Sequence, residues 1–351
     1  MIGQGFMGRA HSNAFLQVSR FFDTPYDLKM KIVCGRDKTR LEEMARRWNW
    51  DETATDWRAV LERNDVDVVD IATPNNLHAE MAIAAASAGK IVLCEKPLAR
   101  NLDEATRMAE AASKVPNLVW FNYRRVPAIG LAKRIIDEGR LGEIYHYRAN
   151  YLQSWGADPH VSGWRFNPAD AGSGATGDLL AHLIDTAQML NGRITRVCAT
   201  MHTFAPGRRV DDAVLAQSYF ANGSVATFEA SRYAIGLQNH NSFEIHGSKG
   251  MLRFNLEDLN RLHFLDAVAP AHLQGAADIL VTGPDHPYAS HFWPPGHIIG
   301  YEHTFIATLA DFLNALAKQD SFHADFRDAL EVQKVLDAVE RSSEQRAWVS
   351  L

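Results

Sequence analysis

Two residues four positions apart, Asp178 and His182, have the types and spacing that proton transfer needs. A glycine-rich stretch, 172–177, passes into a predicted helix here, so both side chains would project from one helical face. A histidine held by a carboxylate can remove the proton of a hydroxyl group. We predict that His182 takes this proton and that Asp178 orients the ring or binds a neighbouring hydroxyl. In the alternative, Asp178 caps the helix and His182 fills a core position.

A third candidate, Lys96, follows the apolar run 91–94 in the segment Cys94-Glu95-Lys96-Pro97. Open α/β sheets bind ligands beyond the carboxyl ends of their strands. Pro97 restricts Lys96 to an extended backbone, which aims the side chain out of the sheet edge. Lys96 could therefore reach a substrate hydroxyl. The alternative is a solvated surface lysine.

The chain opens with a G-x-G-x-x-G pattern. In a strand-to-helix turn this spacing lets a dinucleotide pyrophosphate approach the backbone and sit at a helix N-terminus. A helix-compatible run at 9–16 and a strand-like run at 29–34 follow in the expected order. The predicted phosphate contacts are Gly3, Gly5, Phe6, Met7 and Gly8.

Only Met1 and Ile2 precede this turn, where a strand of about 5–6 residues is usual. We therefore expect either residues upstream of Met1 in the natural protein or a shortened first strand in the structure.

The residues after the second predicted strand, Gly35-Arg36-Asp37, select the cofactor. Gly35 cannot accept a hydrogen bond from a ribose hydroxyl. Arg36 could stack on adenine or bind the 2′-phosphate of NADP. Asp37 leaves NAD possible, because its carboxylate could bind the adenosine ribose. We expect NAD or NADP, with a slight preference for NADP.

The carboxyl edge of the predicted sheet supplies further cofactor contacts. His78 is included, although it fits the start of the next helix better. The candidates are Thr73, Pro74, Asn75, His78, Glu95 and Lys96.

The elements that must position these residues fall into two groups. Strand signals at 66–72 and 90–94 flank a helix-prone run at 79–88, which is the βαβ pattern of a parallel sheet. Beyond Tyr123, short alternating strands joined by tight turns such as Asn222-Gly223 indicate an antiparallel sheet.

With 351 residues, two domains are expected. The predicted fold class is α/β, with a Rossmann dinucleotide-binding domain over 1–122. An α+β substrate-binding and oligomerisation domain with a large, mostly antiparallel open sheet follows over 123–351.

Composition excludes several classes of protein. A net charge of −6 and dispersed basic residues argue against nucleic-acid binding, and no apolar run approaches the ~20 residues of a membrane span. Three scattered cysteines suit a reducing cytoplasm. We expect a cytoplasmic protein with neither nucleic-acid nor membrane partners. The late histidines match no usual metal spacing, so no metal is predicted: His286, His291, His297 and His303.

Taken together, these motifs resemble the glucose–fructose oxidoreductase / inositol dehydrogenase (Gfo/Idh/MocA) family. The resemblance rests on 3–11, 73–80, 95–97, 177–182, 243–250 and 346–349, and so spans essentially the whole chain. It implies that Lys96, Asp178 and His182 act at the substrate. A narrower resemblance to levoglucosan dehydrogenase-like sugar dehydrogenases rests on 121–125, 151–166 and 283–288. Two features depart from it: the stretch 204–212 is short, and Gly35-Arg36 is not a strict NAD site.

Polyols are bound by planar polar groups and aromatic faces, which two short stretches of this chain supply. Each such residue could instead belong to the core. The candidate substrate contacts are Tyr123, Arg124, Gln153, Trp155, Asp158, Trp164 and Arg165, together with Asp178 and His182.

The expected function is NAD(P)-dependent oxidation of a secondary hydroxyl in a sugar, anhydrosugar or inositol. Lys96 would stabilise the developing alkoxide while His182 removes the proton. One alternative is a glycoside hydrolase that uses NAD for transient oxidation, and another is a dinucleotide-binding sensor without chemistry. A homodimer or homotetramer is expected, because the family associates and an antiparallel sheet leaves one face open.

Overall fold

The computed structural model describes residues 1–158 and 160–351 and divides the chain into two compact units. The first unit comprises Met1–Asn122 and Tyr301–Gln333, and the second comprises Tyr123–Gly300 and Lys334–Leu351. Pro159, part of the narrower resemblance, lies outside the described residues.

The packing of residues 301–333 differs from the predicted division, which placed all of 123–351 in the second domain. This segment packs with the first unit instead. Asn122 Nδ2 donates to Thr304 Oγ1 at 2.8 Å, and the backbone nitrogen of Phe326 donates to Asn117 Oδ1 at 2.7 Å. These long-range bonds, which a linear pattern does not reveal, attach the segment to the end of the sheet.

The first unit alternates helices and strands. Its helices are α1 (Phe6–Phe21), α2 (Lys38–Trp48), α3 (Trp57–Leu61), α4 (His78–Ser87), α5 (Leu102–Ala111), α9 (Tyr301–Lys318) and the first part of α10 (Phe326–Gln345). Its strands are β1 (Ile32–Cys34), β2 (Glu52–Ala54), β3 (Val68–Ile71), β4 (Ile91–Cys94) and β5 (Asn117–Val119). Strands β1 and β2 pair in parallel, and β3, β4 and β5 form a second parallel group.

Ile2 joins these two groups as a one-residue bridge, pairing in parallel with both Cys34 and Ile71. Its backbone nitrogen donates to Asp70 O at 2.7 Å, and its carbonyl accepts from Ala72 N at 2.8 Å. The expectation of a shortened first strand is therefore confirmed. The order across the unit is β2, β1, Ile2, β3, β4, β5, so the carboxyl ends of the strands share one edge.

Local sequence explains these elements. Strand β4 is a run of β-branched and apolar residues, and β3 has the same character apart from Asp70; the burial of both strands on both faces is typical of a parallel sheet. Helix α2 begins at an Asp37 cap and ends at Asn49, which takes the left-handed conformation with φ 59°. Helix α5 begins at an Asn101 cap.

The second unit is built on one nine-stranded sheet. Its strands are β6 (Ile144–Leu152), β7 (Ile194–His202), β8 (Ala213–Phe220), β9 (Val225–Ser231), β10 (His240–Gly247), β11 (Gly250–Asn255), β12 (Arg261–Asp266), β13 (Ala276–Leu280) and β14 (Val349–Ser350). The order is β13-β12-β11-β10-β6-β9-β8-β7-β14, and only β6 and β9 pair in parallel. Its helices are α6 (Pro127–Asp137), α7 (Pro168–Ala171), α8 (Ala181–Asn191) and the last part of α10.

The sheet has one covered face and one open face. Side chains alternate along β8 and β9, where Ala216 and Phe228 are buried while Leu215 and Thr227 are exposed. The predicted hairpin at Asn222-Gly223 is confirmed, since β8 and β9 are antiparallel neighbours and Gly223 has φ +88°. The predicted fold class, a Rossmann unit followed by an α+β unit with a mostly antiparallel sheet, is confirmed. In the described part of the chain, no helix combines the length and apolarity that crossing a membrane requires.

Candidate functional site

The glycine pattern forms a tight strand-to-helix turn in the first unit. Gly3 has φ +133°, and a Cβ atom there would overlap the carbonyl of Ala72. A Cβ atom at Gly8 would lie 2.6 Å from Gly3 O, so the helix packs directly on the turn. Around Gly5, by contrast, a Cβ atom would meet nothing within 4 Å. The open space above Gly5 lets a phosphate reach the backbone, as the pattern predicts.

Helix α1 begins directly after Gly5, and no side chain caps it. Its first-turn amide groups, at Phe6, Met7 and Gly8, lack carbonyl partners earlier in the helix, and this turn carries no acidic residue. Such a terminus favours an anion. The turn therefore fits the pyrophosphate of a dinucleotide.

The segment Gly35-Arg36-Asp37 follows β1. The Asp37 carboxylate accepts from Arg40 N at 3.2 Å and caps α2. Gln4 Oε1 accepts from the backbone nitrogen of Asp37 at 3.2 Å, and a Cβ atom at Gly35 would overlap this Gln4 side chain. Arg36 is exposed. Asp37 is thus engaged in the helix cap, whereas Arg36 faces solvent.

The Thr73-Pro74-Asn75 segment follows β3 and leads into a short 3₁₀ turn, Asn75–Leu77. Asn75 is buried at 6% exposure. His78 is fully buried, and its ring contacts backbone carbonyls rather than opening to a surface. Nε2 lies 3.0 Å from Thr73 O, and Nδ1 lies 3.1 Å from Pro97 O.

Burial lowers the pKa of the His78 ring, opposed by hydrogen bonds to these carbonyls. His78 links the two loops at the carboxyl ends of β3 and β4. Both ring nitrogens therefore face backbone carbonyls of the protein, and the cofactor contact that the sequence suggested stays a prediction.

Glu95 and Lys96 follow β4 at the same edge. The Glu95 side chain is buried and turns inward, where Oε1 lies 3.0 Å from His11 Nε2 and Oε2 accepts from Lys96 N at 3.1 Å. Lys96 is half-buried and precedes a cis peptide bond to Pro97. Both carboxylate oxygens of Glu95, one of the predicted cofactor contacts, therefore have hydrogen-bond partners within the protein.

In the second unit, Asp178 lies in a π-helical turn, Thr176–Leu180, that continues directly into α8. Residues four apart lie on nearly the same side of an α or a π turn, so this element agrees with the predicted shared face of Asp178 and His182. His182 is 6% exposed. Its ring packs against Tyr123 at 4.6 Å and Tyr151 at 5.9 Å between centroids.

A continuous chain of polar contacts begins at Tyr123, whose ring packs against His182. The hydroxyls of Tyr123 and Tyr151 are 3.0 Å apart, and the Tyr151 hydroxyl donates to Asn239 Oδ1 at 2.8 Å. Gln153 Nε2 donates to the same Asn239 oxygen at 2.8 Å, and its Oε1 accepts from Trp155 Nε1 at 2.5 Å. These bonds hold amide, hydroxyl and indole groups side by side.

Arg232 closes this arrangement at the other end. It donates through Nη2 to Asp178 Oδ2 at 2.9 Å and is 1% exposed. Its guanidinium lies 4.9 Å from the centroid of the Trp155 ring, a cation–π geometry. The buried cation thus fixes the Asp178 carboxylate and the indole together.

The remaining predicted substrate contacts have other partners. Arg124 forms a buried ion pair with Asp185, with Nη2 at 2.6 Å from Oδ1. Asp158 is exposed and accepts from His160 N at 2.8 Å. The Arg165 guanidinium lies 4.5 Å from the Trp164 ring centroid, and both residues are half-buried. The ion pair gives Arg124 a structural role, which the sequence did not suggest.

The loop before the π turn is anchored by Asp211. Its carboxylate accepts from Gly174 N at 2.5 Å, from Thr176 N at 2.8 Å and from Thr176 Oγ1 at 2.8 Å. Gly174 is required here, since a Cβ atom would overlap the Asp211 carbonyl. Burial raises the pKa of Asp211 against these hydrogen bonds. This clamp fixes where the helix carrying Asp178 begins.

Sequence reasoning missed Arg232, Asn239 and Asp211. Arg232 directly follows the buried end of β9, and a charged residue at such a position is a signal that could have been noticed. Asn239 lies in a polar loop and carries no comparable signal. Within residues 1–158 and 160–351, no group of three or more potential ligands could hold a metal ion.

Two family models match the chain, one in each half. The model of the oxidoreductase family with an NAD-binding Rossmann fold matches residues 1–123, and the GFO/IDH/MocA C-terminal domain model matches residues 129–253. The chain belongs to the GFO/IDH/MocA family. This confirms the family resemblance, and membership makes the chain an NAD-binding oxidoreductase.

Individual members of the GFO/IDH/MocA family are similar over the full length. The chain is 40% identical to levoglucosan dehydrogenase of Pseudarthrobacter phenanthrenivorans, covering 100% of this chain and 97% of the relative. It superposes with a TM-score of 0.97 on a levoglucosan dehydrogenase solved with NADH and levoglucosan, at 42% identity over 99% and 97% of the two chains. An oxidoreductase domain protein from Kribbella flavida gives a TM-score of 0.96 at 46% identity, again over 99% and 97%.

The contact between Arg232 and Asp178 yields a first prediction. Arg232→Lys keeps the charge but loses the planar fork, and should lower kcat/KM for a sugar by about 10–100-fold. The dissociation constant of NAD should stay within about twofold of the wild-type value, because the cofactor turn is untouched. Steady-state kinetics with levoglucosan and other pyranoses, and fluorescence titration of NADH, measure the two effects.

Arg196→Lys is the matched control, since Arg196 lies 3.8 Å over the Tyr219 ring on the sheet. It should leave both constants unchanged. An Arg232→Lys variant with wild-type kcat/KM would contradict the assigned role.

Glu340 yields a second prediction, on stability. Burial and the nearby Asp211 carboxylate raise the pKa of Glu340 to about 7. The folded state then binds more protons than the unfolded state between pH ~4.5 and ~7, so the free energy of unfolding falls as pH rises through this range. Glu340→Gln should remove about 2 kcal/mol of this dependence.

Urea unfolding at pH 5, 6, 7 and 8 measures it. Glu143→Gln, an exposed change before β6 at a residue that does not contribute to the raised pKa of Glu340, is the control and should follow the wild-type curve. Parallel curves for wild type and Glu340→Gln would refute the assignment.

Proposed function

We propose that this protein is an NAD-dependent dehydrogenase that oxidises a secondary hydroxyl of an anhydrosugar or related pyranose. One observation carries the proposal. In a chain 40% identical along its full length to levoglucosan dehydrogenase, Asp178 and His182 share one face of a helix within a cluster of amide, hydroxyl and indole groups. That cluster has the chemistry of a sugar site.

His182 is proposed as the base. It is mostly buried against two tyrosine rings, and removal of a hydroxyl proton requires a ring nitrogen held in one orientation. Asp178, fixed by Arg232, is proposed to accept a hydrogen bond from a neighbouring hydroxyl. Lys96 is proposed to stabilise the developing alkoxide through its ammonium group. These roles match those that the family resemblance implies.

The cofactor is proposed to lie on the turn of Gly3, Gly5 and Gly8, with its phosphates at the start of α1. The chemistry that the cofactor would supply there is a nicotinamide ring able to take the hydride of a carbinol carbon. Thr73, Pro74 and Asn75 are proposed to contact the adjoining ribose from the carboxyl edge of the sheet. The chain itself then handles only orientation and the hydroxyl proton.

Substrate selection is proposed to rest on the polar chain from Tyr123 to Trp155. An indole face packs against the C–H face of a pyranose, and the amides of Gln153 and Asn239 bind ring hydroxyls. Trp164 and Arg165, a half-buried stacked pair, are proposed to extend this surface. The relatives named above that carry an activity in their names are dehydrogenases, so the comparisons do not favour the glycoside hydrolase alternative.

Loss of Lys96 or His182 is the third prediction. Lys96→Ala and His182→Ala should each lower kcat about 100-fold or more, because each removes a group that acts in the transition state. NADH should bind both variants with wild-type affinity. The assay follows nucleotide reduction at 340 nm across a panel of sugars, anhydrosugars, inositols and glycosides.

Lys114→Ala and His272→Ala, exposed positions away from these motifs, are the matched controls. Wild-type rates in both active-site variants would contradict the roles. Release of free sugar without accumulation of NADH would support the hydrolase instead, and cofactor binding with no sugar response would support a sensor.

Cofactor choice is proposed to favour NAD, with NADP accepted through Arg36. The levoglucosan dehydrogenase structure contains NADH, and that relative is 42% identical to this chain. Exposed Arg36 is nevertheless suited to a 2′-phosphate, and Gly35 provides no carboxylate to repel one. The sequence suggested a slight preference for NADP. The proposal is instead that the enzyme prefers NAD and also accepts NADP.

The fourth prediction separates these contributions. Arg36→Ala should lower kcat/KM for NADP about tenfold or more and leave the value for NAD within about twofold, because only NADP has the phosphate. Parallel kinetics with both nucleotides measure it. Arg47→Ala, exposed on α2, is the control. An equal loss with both nucleotides would refute the role of Arg36.

We also propose a cytoplasmic homodimer or homotetramer that associates through the open face of the nine-stranded sheet. Leu215 is 47% exposed and Val225 is 39% exposed there.

As a fifth prediction, light scattering should give a dimer or tetramer for the wild type, and Leu215→Arg should shift it toward monomer because a cation replaces the apolar contact. Val268→Arg, at a turn outside the strands, is the control. A monomeric wild type would refute the assembly.

A further inference from the structure

Three ionisable side chains meet in the interior of the first unit, away from solvent. His11 comes from α1, Asp70 from β3 and Glu95 from the residue after β4. They are 0%, 2% and 4% exposed. None of them has a role in the reaction described above. Charged groups are rarely buried together unless they are paired, so this cluster calls for an explanation.

The hydrogen bonds define the protonation of the cluster. His11 Nδ1 lies 2.9 Å from Asp70 Oδ2, and His11 Nε2 lies 3.0 Å from Glu95 Oε1. An ionised carboxylate can only accept, so a ring that bonds to two of them carries a proton on each nitrogen. Burial alone would lower the pKa of His11, but the charges and hydrogen bonds of Asp70 and Glu95 raise it to about 9. His11 is thus an imidazolium between two carboxylates.

The outer oxygens of both carboxylates are also occupied. Asp70 Oδ1 accepts from Trp120 Nε1 at 2.9 Å, and the Trp120 ring stacks on His11 at 4.3 Å. Glu95 Oε2 accepts from the backbone nitrogen of Lys96 at 3.1 Å. Each carboxylate is therefore held at two points. The chain of contacts runs from Trp120 through Asp70, His11 and Glu95 to the backbone of Lys96.

We propose that His11 is a positioning residue for Lys96, which it holds through Glu95. The inference rests on the proposed role of Lys96. Glu95 can hold the amide of Lys96 in one orientation only while its other oxygen is fixed, and His11 is the group that fixes it. Without His11, two buried carboxylates would face a vacant space, and Glu95 would be free to take another rotamer or a proton.

A purely structural role would give a different outcome, because the cluster also ties α1 to the sheet. If that were its only function, removing His11 would lower stability and NAD affinity together. If His11 positions Lys96, kcat and the reactivity of Lys96 should change while NAD affinity is kept. A cluster that preserves every hydrogen bond and the net charge, but lacks the charges of His11 and Asp70, should then restore both properties.

The test compares His11→Leu with the double variant His11→Gln/Asp70→Asn. In the double variant, the new amide at position 70 can still accept from Trp120 and donate to the new amide at position 11, which can in turn donate to Glu95. Trp50→Phe is the control, since it breaks a buried hydrogen bond to Ser12 on the same helix that does not reach Glu95. The readouts are kcat, KM for NAD, NADH affinity, melting temperature, and the rate of reductive methylation of Lys96 measured by peptide mass spectrometry without substrate.

We expect His11→Leu to lower kcat about tenfold or more and to change the Lys96 methylation rate about threefold or more, with NADH affinity within about twofold, since small displacements are costly in positioning. The double variant and Trp50→Phe should lie within about threefold of wild type in both properties. Unchanged methylation in His11→Leu, a folded double variant that does not recover, or a parallel loss of NADH affinity would each overturn the inference.

The methylation rates also separate this inference from the proposed function. If the wild type oxidises no sugar with either nucleotide, the proposed function fails. The methylation comparison still decides whether His11 positions Lys96, because it requires neither substrate nor turnover.

Discussion

The first unit depends on the two-sided pairing of Ile2. The nitrogen and carbonyl of Ile2 bond to Asp70 and Ala72 in one half of the parallel sheet, while the flanking Met1 carbonyl and Gly3 nitrogen bond to Cys34 in the other half. Gly3 follows at once, pressed against Ala72 so closely that no side chain fits. The start of α1 therefore lies beside the carboxyl ends of both β1 and β3. The cofactor turn therefore derives its shape from a backbone pairing rather than from a packed side chain.

Features that depend on spacing along the chain could be predicted from the sequence. The turn of Gly3, Gly5 and Gly8, the loop after β4 and the shared face of Asp178 and His182 all follow from local geometry. The family resemblance rested on the same local motifs.

Features that depend on long-range pairing could not be predicted. Asp178 and Arg232 are 54 residues apart, and Asn239 accepts from Tyr151, which lies 88 residues earlier. The packing of residues 301–333 within the first unit also depends on contacts between residues far apart in sequence. The ion pair between Arg124 and Asp185 does so too. A sequence shows that such groups are polar or charged, but not which partner satisfies them.

Gln4 and Gly35 illustrate how neighbouring positions constrain one another. Gln4 occupies the space that any side chain at residue 35 would need. An acidic residue at 35, the usual means of recognising the adenosine ribose, could enter only if the Gln4 side chain turned away from Gly35. That movement would break the hydrogen bond from the backbone nitrogen of Asp37 to Gln4 Oε1. A substitution at 35 would therefore cost a backbone contact at the start of α2, whereas a substitution at the exposed Arg36 would leave that contact in place.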